Sequence, residues 1–514
     1  MRIFGFDISK ASVSEAPPVP EQRPRIKMRQ FDGASIGRLS DYPRATANIN
    51  DDSRFALRTL KLRSRELSKN NNLFRKYLSM RERNIVGPKG VMIQNRARLP
   101  DGMMDDRIND AVESAWAAWG GFGCEMSNRL AWNDVLRLAV RTMAVDGEFF
   151  AFLERGPHAG RHGFALRIVD SIACDPEYNV DSFTPGTRII QGVEVDDFYR
   201  PIAYHFTARR YESTMRGAAN LTRLRVPAED VIHLFRQEFV EQTRGIPPAQ
   251  SAMGPMNMLK GYSEAELAAA RAGACKMGFY TSKDGSLQSV ANGIDEEGNF
   301  IFDAEPGKFE VLPSGYDFKE YSPQHPNGNY SGFTLAMTRE IAGGLDVSYN
   351  SLASDLTSVN YSSMRSGSLE ERDAWMTEQS ILISQFVEPV FRAWFRSWSS
   401  SAESPASAVV LASAYAPAFY PRRWPWVDPR ADADANVTLM ANNMKSPFDV
   451  AAEMGNDLDD LYSSIKKAKD LADKYEITAP GKDSAKPKTP ATPDEEEDSE
   501  DEKDVEEEGS VPLP

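Results

Sequence analysis

Apolar positions along the chain recur at helical spacing in some stretches and in short runs in others. From Asp52 to Ile85, Leu57, Leu60, Leu67, Phe74, Tyr77 and Leu78 fall at near-helical intervals between Arg and Lys. This spacing predicts one or two amphipathic helices, with Asn70-Asn71-Asn72 as the break and Gly87-Pro88-Lys89-Gly90 as a following turn. Helices are expected from Arg107 to Trp119, stopped by Gly120-Gly121-Phe122-Gly123, and from Trp132 to Val145, with Leu136, Val140 and Met143 on one face. Asp146-Gly147 then turns the chain into a strand, Glu148 to Leu153. Short apolar runs at Phe164–Val169, Ile189–Val195, Ile202–Phe206 and Val231–Phe235, separated by Asp, Gly and Pro, predict a mostly antiparallel sheet region.

The pattern changes again at Ala249. The stretch to Tyr280 reads as a helix rich in small residues, Ala265, Ala268, Ala269, Ala272, Gly273, Ala274 and Cys275. Small side chains let another helix approach closely, so this helix reads as one packed against copies of itself; a surface helix with high alanine propensity is the alternative. Short strands and turns follow over 281–331, including Asn299–Phe302 and Phe309–Leu312, and then a short helix from Thr334 to Leu345. The polar stretch from Asp346 to Ser363 has too little apolar content to be core. It precedes the longest expected helix, Met364 to Trp398, with Ile383, Val387, Phe391, Trp394 and Trp398 on one face and Pro389 placed to kink it. Trp424-Pro425-Trp426-Val427-Asp428-Pro429 leads into helical segments ending near Lys474.

Composition narrows the class. With 514 residues, 41% hydrophobic and 26% charged, the chain is globular and long enough for several packed regions. No run approaches the roughly 18 apolar residues of a membrane helix, and the amino terminus has no secretory pattern. Cys124, Cys174 and Cys275 are too few and too widely spaced for a disulfide framework or a CxxC site, which suits a reducing cytoplasm. The net charge of −15 is uneven: Pro493–Glu508 holds twelve acidic residues and one lysine, whereas residues 1–98 hold twenty-one Lys/Arg against nine Asp/Glu. A sequence pI of about 5.1 argues against a sequence-reading DNA binder. Residues 1–50, rich in Pro, Arg and Ser, read as an extended basic arm that orders against a neighbour, and residues 478–514 as a disordered acidic tail.

Candidate chemistry is sparse. There is no GxxxxGK[ST] phosphate loop and no GxSxG elbow. His158 and His162 are four apart, but Gly156, Pro157, Gly160 and Gly163 make the segment a loop without a nearby acidic or Cys ligand. His205 and His233 lie in strand patterns and read as core or sheet-face residues, and adjacent carboxylates such as Asp196-Asp197 read as solvated turns. No catalytic residue, metal ligand or cofactor is expected.

Several segments, in order, resemble the phage portal proteins of the lambda family. They are Arg63–Asn71 continuing to Asn84–Gly90, Arg137–Glu148, Gly192–Pro201, Val226–Phe235, Arg244-Gly245-Ile246-Pro247, Tyr349–Asp355 running to Asn360–Arg365, and Trp426-Val427-Asp428-Pro429. The likeness spans roughly residues 50–470. Asp346 and Asn350 depart from the glycine and glutamate common in the family.

The resemblance implies an α+β portal-type subunit with a mixed wing, helical stem, small α/β clip and helical crown, forming a ring usually of twelve copies. That ring would sit in the virion at the unique capsid vertex, after assembly in the host cytoplasm, and would nucleate the procapsid. Double-stranded DNA would pass through it without sequence preference, driven by the terminase. Implied partners are the terminase large subunit, the major capsid or scaffold protein and head-completion adaptors, with no membrane. By the same resemblance, residues 51–248 and 362–400 form the wing, 249–279 and 332–345 the stem, 280–331 the clip, 346–361 the tunnel loop and 401–477 the crown. Ser348, Tyr349, Asn350, Ser351, Ser354, Thr357 and Asn360 are then candidate DNA contacts, and Ala265, Ala268, Ala269, Ala272 and Cys275 candidate inter-subunit stem contacts. Another virion connector, or a DNA-processing enzyme with a carboxylate metal cluster, is the competing reading.

Overall fold

A computed structural model describes residues 2–3, 6–7, 48–207, 223–275, 278–282, 293–294, 300–301, 316–320, 329–357, 360–405, 411, 413–424, 429–454 and 458–475. Most of the expected basic arm and all of the acidic tail lie outside them, as do Phe309–Leu312. The fold is α+β, and every strand ladder among the described residues is antiparallel.

After a short pair, β1 (Arg2–Ile3) with β2 (Phe6–Asp7), the described chain continues with α1 (Ile49–Asn70) and α2 (Asn72–Arg81). The break between the helices is where the asparagines predict it. Asn71 has extended backbone, and its side chain accepts a hydrogen bond from the Phe74 N–H at 3.0 Å, so the residue that ends α1 also caps α2. A π turn, Glu82–Val86, carries the chain to Gly87. Strand β3 (Met92–Asn95) leads to α3 (Asp106–Trp119), closed at Gly120, and α4 (Trp132–Asp146), closed by Gly147 in the left-handed region.

Strand β4 (Glu148–Arg155) lies between β5 (Phe164–Val169) and β11 (Val231–Phe235). Its apolar run is buried on both faces. Phe149, Ala151 and Leu153 join the main core, while Phe150 and Phe152 pack on a second core with Val193, Val195, Tyr204 and Phe206. That second core is covered by a five-stranded meander: β6 (Val180–Thr184), β7 (Thr187–Ile190), β8 (Val193–Asp196), β9 (Pro201–Thr207) and β10 (Arg223–Pro227). The single strand expected over Ile189–Val195 is therefore a hairpin. Gln191 and Gly192 both have positive φ, which suits a tight two-residue turn, and the run folds back on itself.

Helix α5 (Met253–Cys275) is shorter than the expected 249–280. Pro248–Ser251 is a 3₁₀ turn, and Gly278–Ser282 forms β12, paired with β15 (Tyr316–Glu320); the run Phe279-Tyr280-Thr281 favours strand over helix. Between them β13 (Gly293–Ile294) pairs β14 (Phe300–Ile301). Helix α6 (Tyr330–Gly344) begins one turn earlier than the expected Thr334. The polar stretch after it contains a short helix, α7 (Tyr349–Ala353), and Leu352 is only 2% exposed within the main core, contrary to the expectation that this stretch stays out of it.

The expected long helix is α8 (Tyr361–Leu382), a π turn (Ile383–Val387) and α9 (Glu388–Ser399). The π turn is the interruption that Pro389 demands: the ring removes one N–H and crowds the carbonyl four residues back, and the wider turn absorbs the mismatch. Val387, Phe391, Trp394 and Trp398 are buried, and Trp394 stacks on Trp398 at 5.6 Å. Strand β16 (Pro417–Tyr420) pairs with β3, and α10 (Pro429–Ala441), α11 (Pro447–Glu453) and α12 (Leu458–Lys474) complete the described chain.

Candidate functional site

Helices α5 and α6 form an antiparallel hairpin. Tyr262 stacks on Tyr330 at 5.6 Å and meets Phe333 edge-on at 4.8 Å, while at the other end Ser251 Oγ donates to the Gly344 carbonyl at 3.1 Å. Gly344 permits this approach, since a Cβ there would lie 3.2 Å from Ala252 Cβ. Ala265 and Ala268 are exposed and Ala269 is half-buried. The small residues at 265 and 268 are thus not the ones that α6 covers. Ala272 and Cys275 lie in the helix, but their side chains fall outside the described residues.

The α6–α8 connection is held by its own hydroxyls and two carboxylates. Asp346 and Ser354, both with positive φ, bracket the turn. Ser348 caps α7, accepting from the Ser351 N–H at 3.3 Å, and the two hydroxyls are 2.8 Å apart. Ser351 Oγ donates to Glu371 at 2.8 Å. Tyr349 donates to Asp355 at 2.9 Å, and that hydrogen bond raises the phenol pKa, so it stays protonated. Asp355 also accepts from Thr357 Oγ1 at 2.6 Å, and Lys76 donates to Ser354 at 2.8 Å. The Arg339 guanidinium lies 5.5 Å from the Tyr349 ring. Five of the seven candidate contacts, Ser348, Tyr349, Ser351, Ser354 and Thr357, therefore share one hydrogen-bonded turn. Asn350 is half-buried in α7, and Asn360 stands exposed before α8, its carbonyl accepting from the Met364 N–H at 3.0 Å.

A buried ionic cluster holds the base of the hairpin to the sheets. Glu148, with no exposed surface, accepts from Lys61 at 2.5 Å, from Arg244 Nε at 3.0 Å to each oxygen, from His233 Nε2 at 3.0 Å and from the Gly245 N–H at 2.9 Å. Burial alone would raise the Glu148 pKa; Arg244 and Lys61 overcome it and hold the carboxyl well below its usual range. Burial pushes His233 down, so its ring is neutral and donates through Nε2. Arg244 also donates to the Gln191 and Ser171 carbonyls, and Ser171 links the cluster to Asp146 at 2.8 Å. Pattern reading passed over this cluster because its members come from α1, β4, β11 and the segment before α5. The only signal was that Asp146-Gly147-Glu148 and Arg244-Gly245-Ile246-Pro247 fall within the segments carrying the family resemblance.

The remaining reactive side chains are occupied or inert. The His162 side chain, carried on a 3₁₀ turn, is covered, accepting from Trp394 Nε1 at 3.2 Å and facing Glu403 at 3.0 Å, and it shares no metal-ligand geometry with His158. His205 is buried against Glu194 at 3.1 Å, so both strand histidines are core groups as expected. Burial lifts the Cys124 thiol to about 12 and that of Cys174 to about 11, too high for a nucleophile. Among the described residues no His, Cys, Asp and Glu side chains group in a way that could hold a metal ion, and no helix is long and apolar enough to cross a membrane.

Comparison with known proteins adds the following. A family model described as "Phage portal protein, lambda family" matches residues 36–379. A "Probable portal protein" of Halomonas phage phiHAP-1 is 30% identical over 466 residues, 89% of each chain. Among solved structures, a chain of the virion of a native gene transfer agent particle is 13% identical, with a TM-score of 0.40 over 79% of this chain and 93% of that one. A chain from the neck of an empty particle of that kind is also 13% identical, with a TM-score of 0.42 over 76% and 93%.

Proposed function

Because the chain belongs to the lambda family of phage portal proteins, we propose that its copies close into the ring channel at the unique vertex of the capsid, where double-stranded DNA enters during packaging and leaves at ejection. The match over residues 36–379, joined by the relative that is 30% identical along 89% of its length, carries this reading. The ring, usually of twelve copies by the family resemblance, docks the terminase large subunit, the major capsid or scaffold protein and head-completion adaptors, and it nucleates the procapsid.

Three features support the assignment of parts. The α5–α6 hairpin is rooted in the main core through Met253, Met256, Ile341 and Ala342 and leaves Ala265 and Ala268 uncovered, as a stem helix awaiting neighbouring copies would. Residues 51–248 and 362–400 supply most of the mixed body, the wing; 280–331 is the clip and 401–477 the crown. The turn over 346–361 is the tunnel loop, and Ser348, Tyr349, Asn350, Ser351, Ser354, Thr357 and Asn360 meet passing phosphates through neutral groups. Each fixed Lys or Arg on a phosphate adds salt-dependent affinity through counterion release and would hold the duplex instead of letting it slide. The chain itself performs no catalysis. Its buried thiols are protonated and its buried histidines already engaged, which supports a structural role.

Native mass measurement and electron microscopy of the purified full-length chain test the reading. A pored annulus of about twelve 57.2 kDa copies is expected; compact monomers or dimers under assembly conditions would overturn it.

A further inference from the structure

Arg372, on α8, and Arg422, just past β16, converge on Trp424, and Arg83, on the π turn after α2, lies beside Arg422 with its own Nε donating to the Ser79 carbonyl at 3.1 Å. The guanidinium carbon of Arg422 lies 5.6 Å from the indole centroid and that of Arg372 5.9 Å. Arg422 is fixed in place. Its stem rests on Gly87, where a Cβ would come within 2.7 Å of Arg422 Cδ, and its carbonyl accepts from Gln379 Nε2 at 3.0 Å. Its guanidinium donates to the Arg83 carbonyl and, at 3.2 Å, to Asn84 Oδ1, which also accepts from Trp424 Nε1 at 3.2 Å.

No carboxylate among the described residues pairs with any of the three arginines. Burial, and then the charges of Arg83 and Arg372, push the Arg422 pKa down. Like charges held together this way lack a counter-ion and make a site for an extended anion.

The chain carries such an anion. Asp494–Glu508 contains twelve carboxylates, and the helix that leads into its tether, α12, shares a cavity with neighbours of the cluster. Leu461 and Ser464 of α12 line a cavity of about 720 Å³ together with Lys89 and Tyr420, residues two positions from Gly87 and Arg422. Nineteen residues separate Lys474, the end of α12, from Asp494, a reach of up to roughly 65 Å when extended. Tethering on this scale gives effective concentrations in the millimolar range.

We propose that the acidic run Asp494–Glu508 docks on the Arg83–Arg372–Arg422 cluster, where it masks the cationic patch from nucleic acid. The assignment stands apart from the ring reading, because it concerns carboxylates and arginines of the chain itself.

The test uses a full-length chain in which every Asp and Glu from 494 to 508 is changed to its amide, probed with a fluorescent peptide of sequence Pro493–Glu508. The peptide is expected to bind this chain, with an affinity that falls as salt rises, and to bind the wild-type chain more weakly because its own tail competes. Adding R83Q and R372Q, which leave Arg422 and its hydrogen bonds intact, is expected to weaken peptide binding at least about tenfold; thermal melting checks that the fold persists. Equal peptide affinity with and without the arginines would overturn the proposal. So would arginine-dependent binding of a duplex oligonucleotide by the amide chain with no binding of the peptide, a result that assigns the patch to nucleic acid.

Discussion

Arg244 and Glu148, 96 residues apart in sequence, meet in a fork with no access to water, Arg244 Nε lying 3.0 Å from each carboxylate oxygen. Glu148 stands at the start of β4, and Arg244 three residues before the Pro247-Pro248 step into α5. This one pair therefore ties the central sheet to the base of the α5–α6 hairpin. Lys61 adds α1 and His233 adds β11 to the same carboxylate. A buried pair of this kind earns its place through specificity more than net energy, but breaking it strands a charge.

Glu148→Gln is accordingly expected to destabilise the subunit by about 3–5 kcal/mol, since Arg244 and Lys61 lose their counter-charge in a dry site. Urea unfolding of the variant measures it. Glu148→Gln combined with Arg244→Met is expected to cost less than the sum of the two singles, because the pair is coupled.

His233 and Glu148 of this cluster, with His205 beside Glu194, set an acid dependence. His233 and His205 have folded pKa values below 6.5, so the unfolded chain takes up more protons as pH falls through that range. Their contribution is complete above pH 6.5 and declines below it. Glu148, held well below 4.5, adds a second loss beginning near pH 4.5 and continuing downward. Stability measured against pH is expected to fall in these two stages, and His233→Gln to shrink the first to the share of His205 while keeping the second.

Gly147 has φ of +83°, and a Cβ there would run into the Ile246 carbonyl group and lie 2.6 Å from Pro247 N. Gly147→Ala is expected to cost more than about 1 kcal/mol and to lower the thermal midpoint. Gly102→Ala, at φ +89° with open space around it, separates the backbone penalty from the clash.

Ala268 is exposed in the subunit. Ala268→Leu is expected to leave the monomer's unfolding midpoint within about 0.5 kcal/mol of wild type while reducing the yield of closed rings by native mass spectrometry. Unchanged ring yield would remove this face from the stem interface.

In the turn before α8, Tyr349→Ala with Asn350→Ala is expected to lower DNA packaging or retention in assembled particles, counted as filled against empty capsids. Ser351→Ala, which removes the hydroxyl that donates to Glu371 and accepts from Ser348, is expected to cost about 1 kcal/mol of stability and to change filling less.

How far the chain could be read in advance follows from the range of the forces involved. Asn71, Gly147, the strands Phe164–Val169 and Val231–Phe235 and the interruption at Pro389 were all legible, because capping, left-handed glycine, β-branching and a missing N–H act within a few residues. Strands β6 and β10 were not: their side chains are largely exposed and polar, and only the ladder with β7 and β9 makes them strands. Helix α7 escaped as well, since a five-residue helix is set by the Ser348 cap and by burial of Leu352 rather than by periodicity.

The residue order by itself determined the family, the break at Asn71, the interruption at Pro389 and the opposition of a basic front to an acidic end, all of which reside in local spacing and composition. Tertiary structure alone decided that Glu148 gathers Lys61, His233 and Arg244, and that Arg372 and Arg422 meet over one indole beside Arg83. Those groups are far apart along the chain, and only burial of the apolar faces beside them brings their charges within hydrogen-bonding or Coulombic reach.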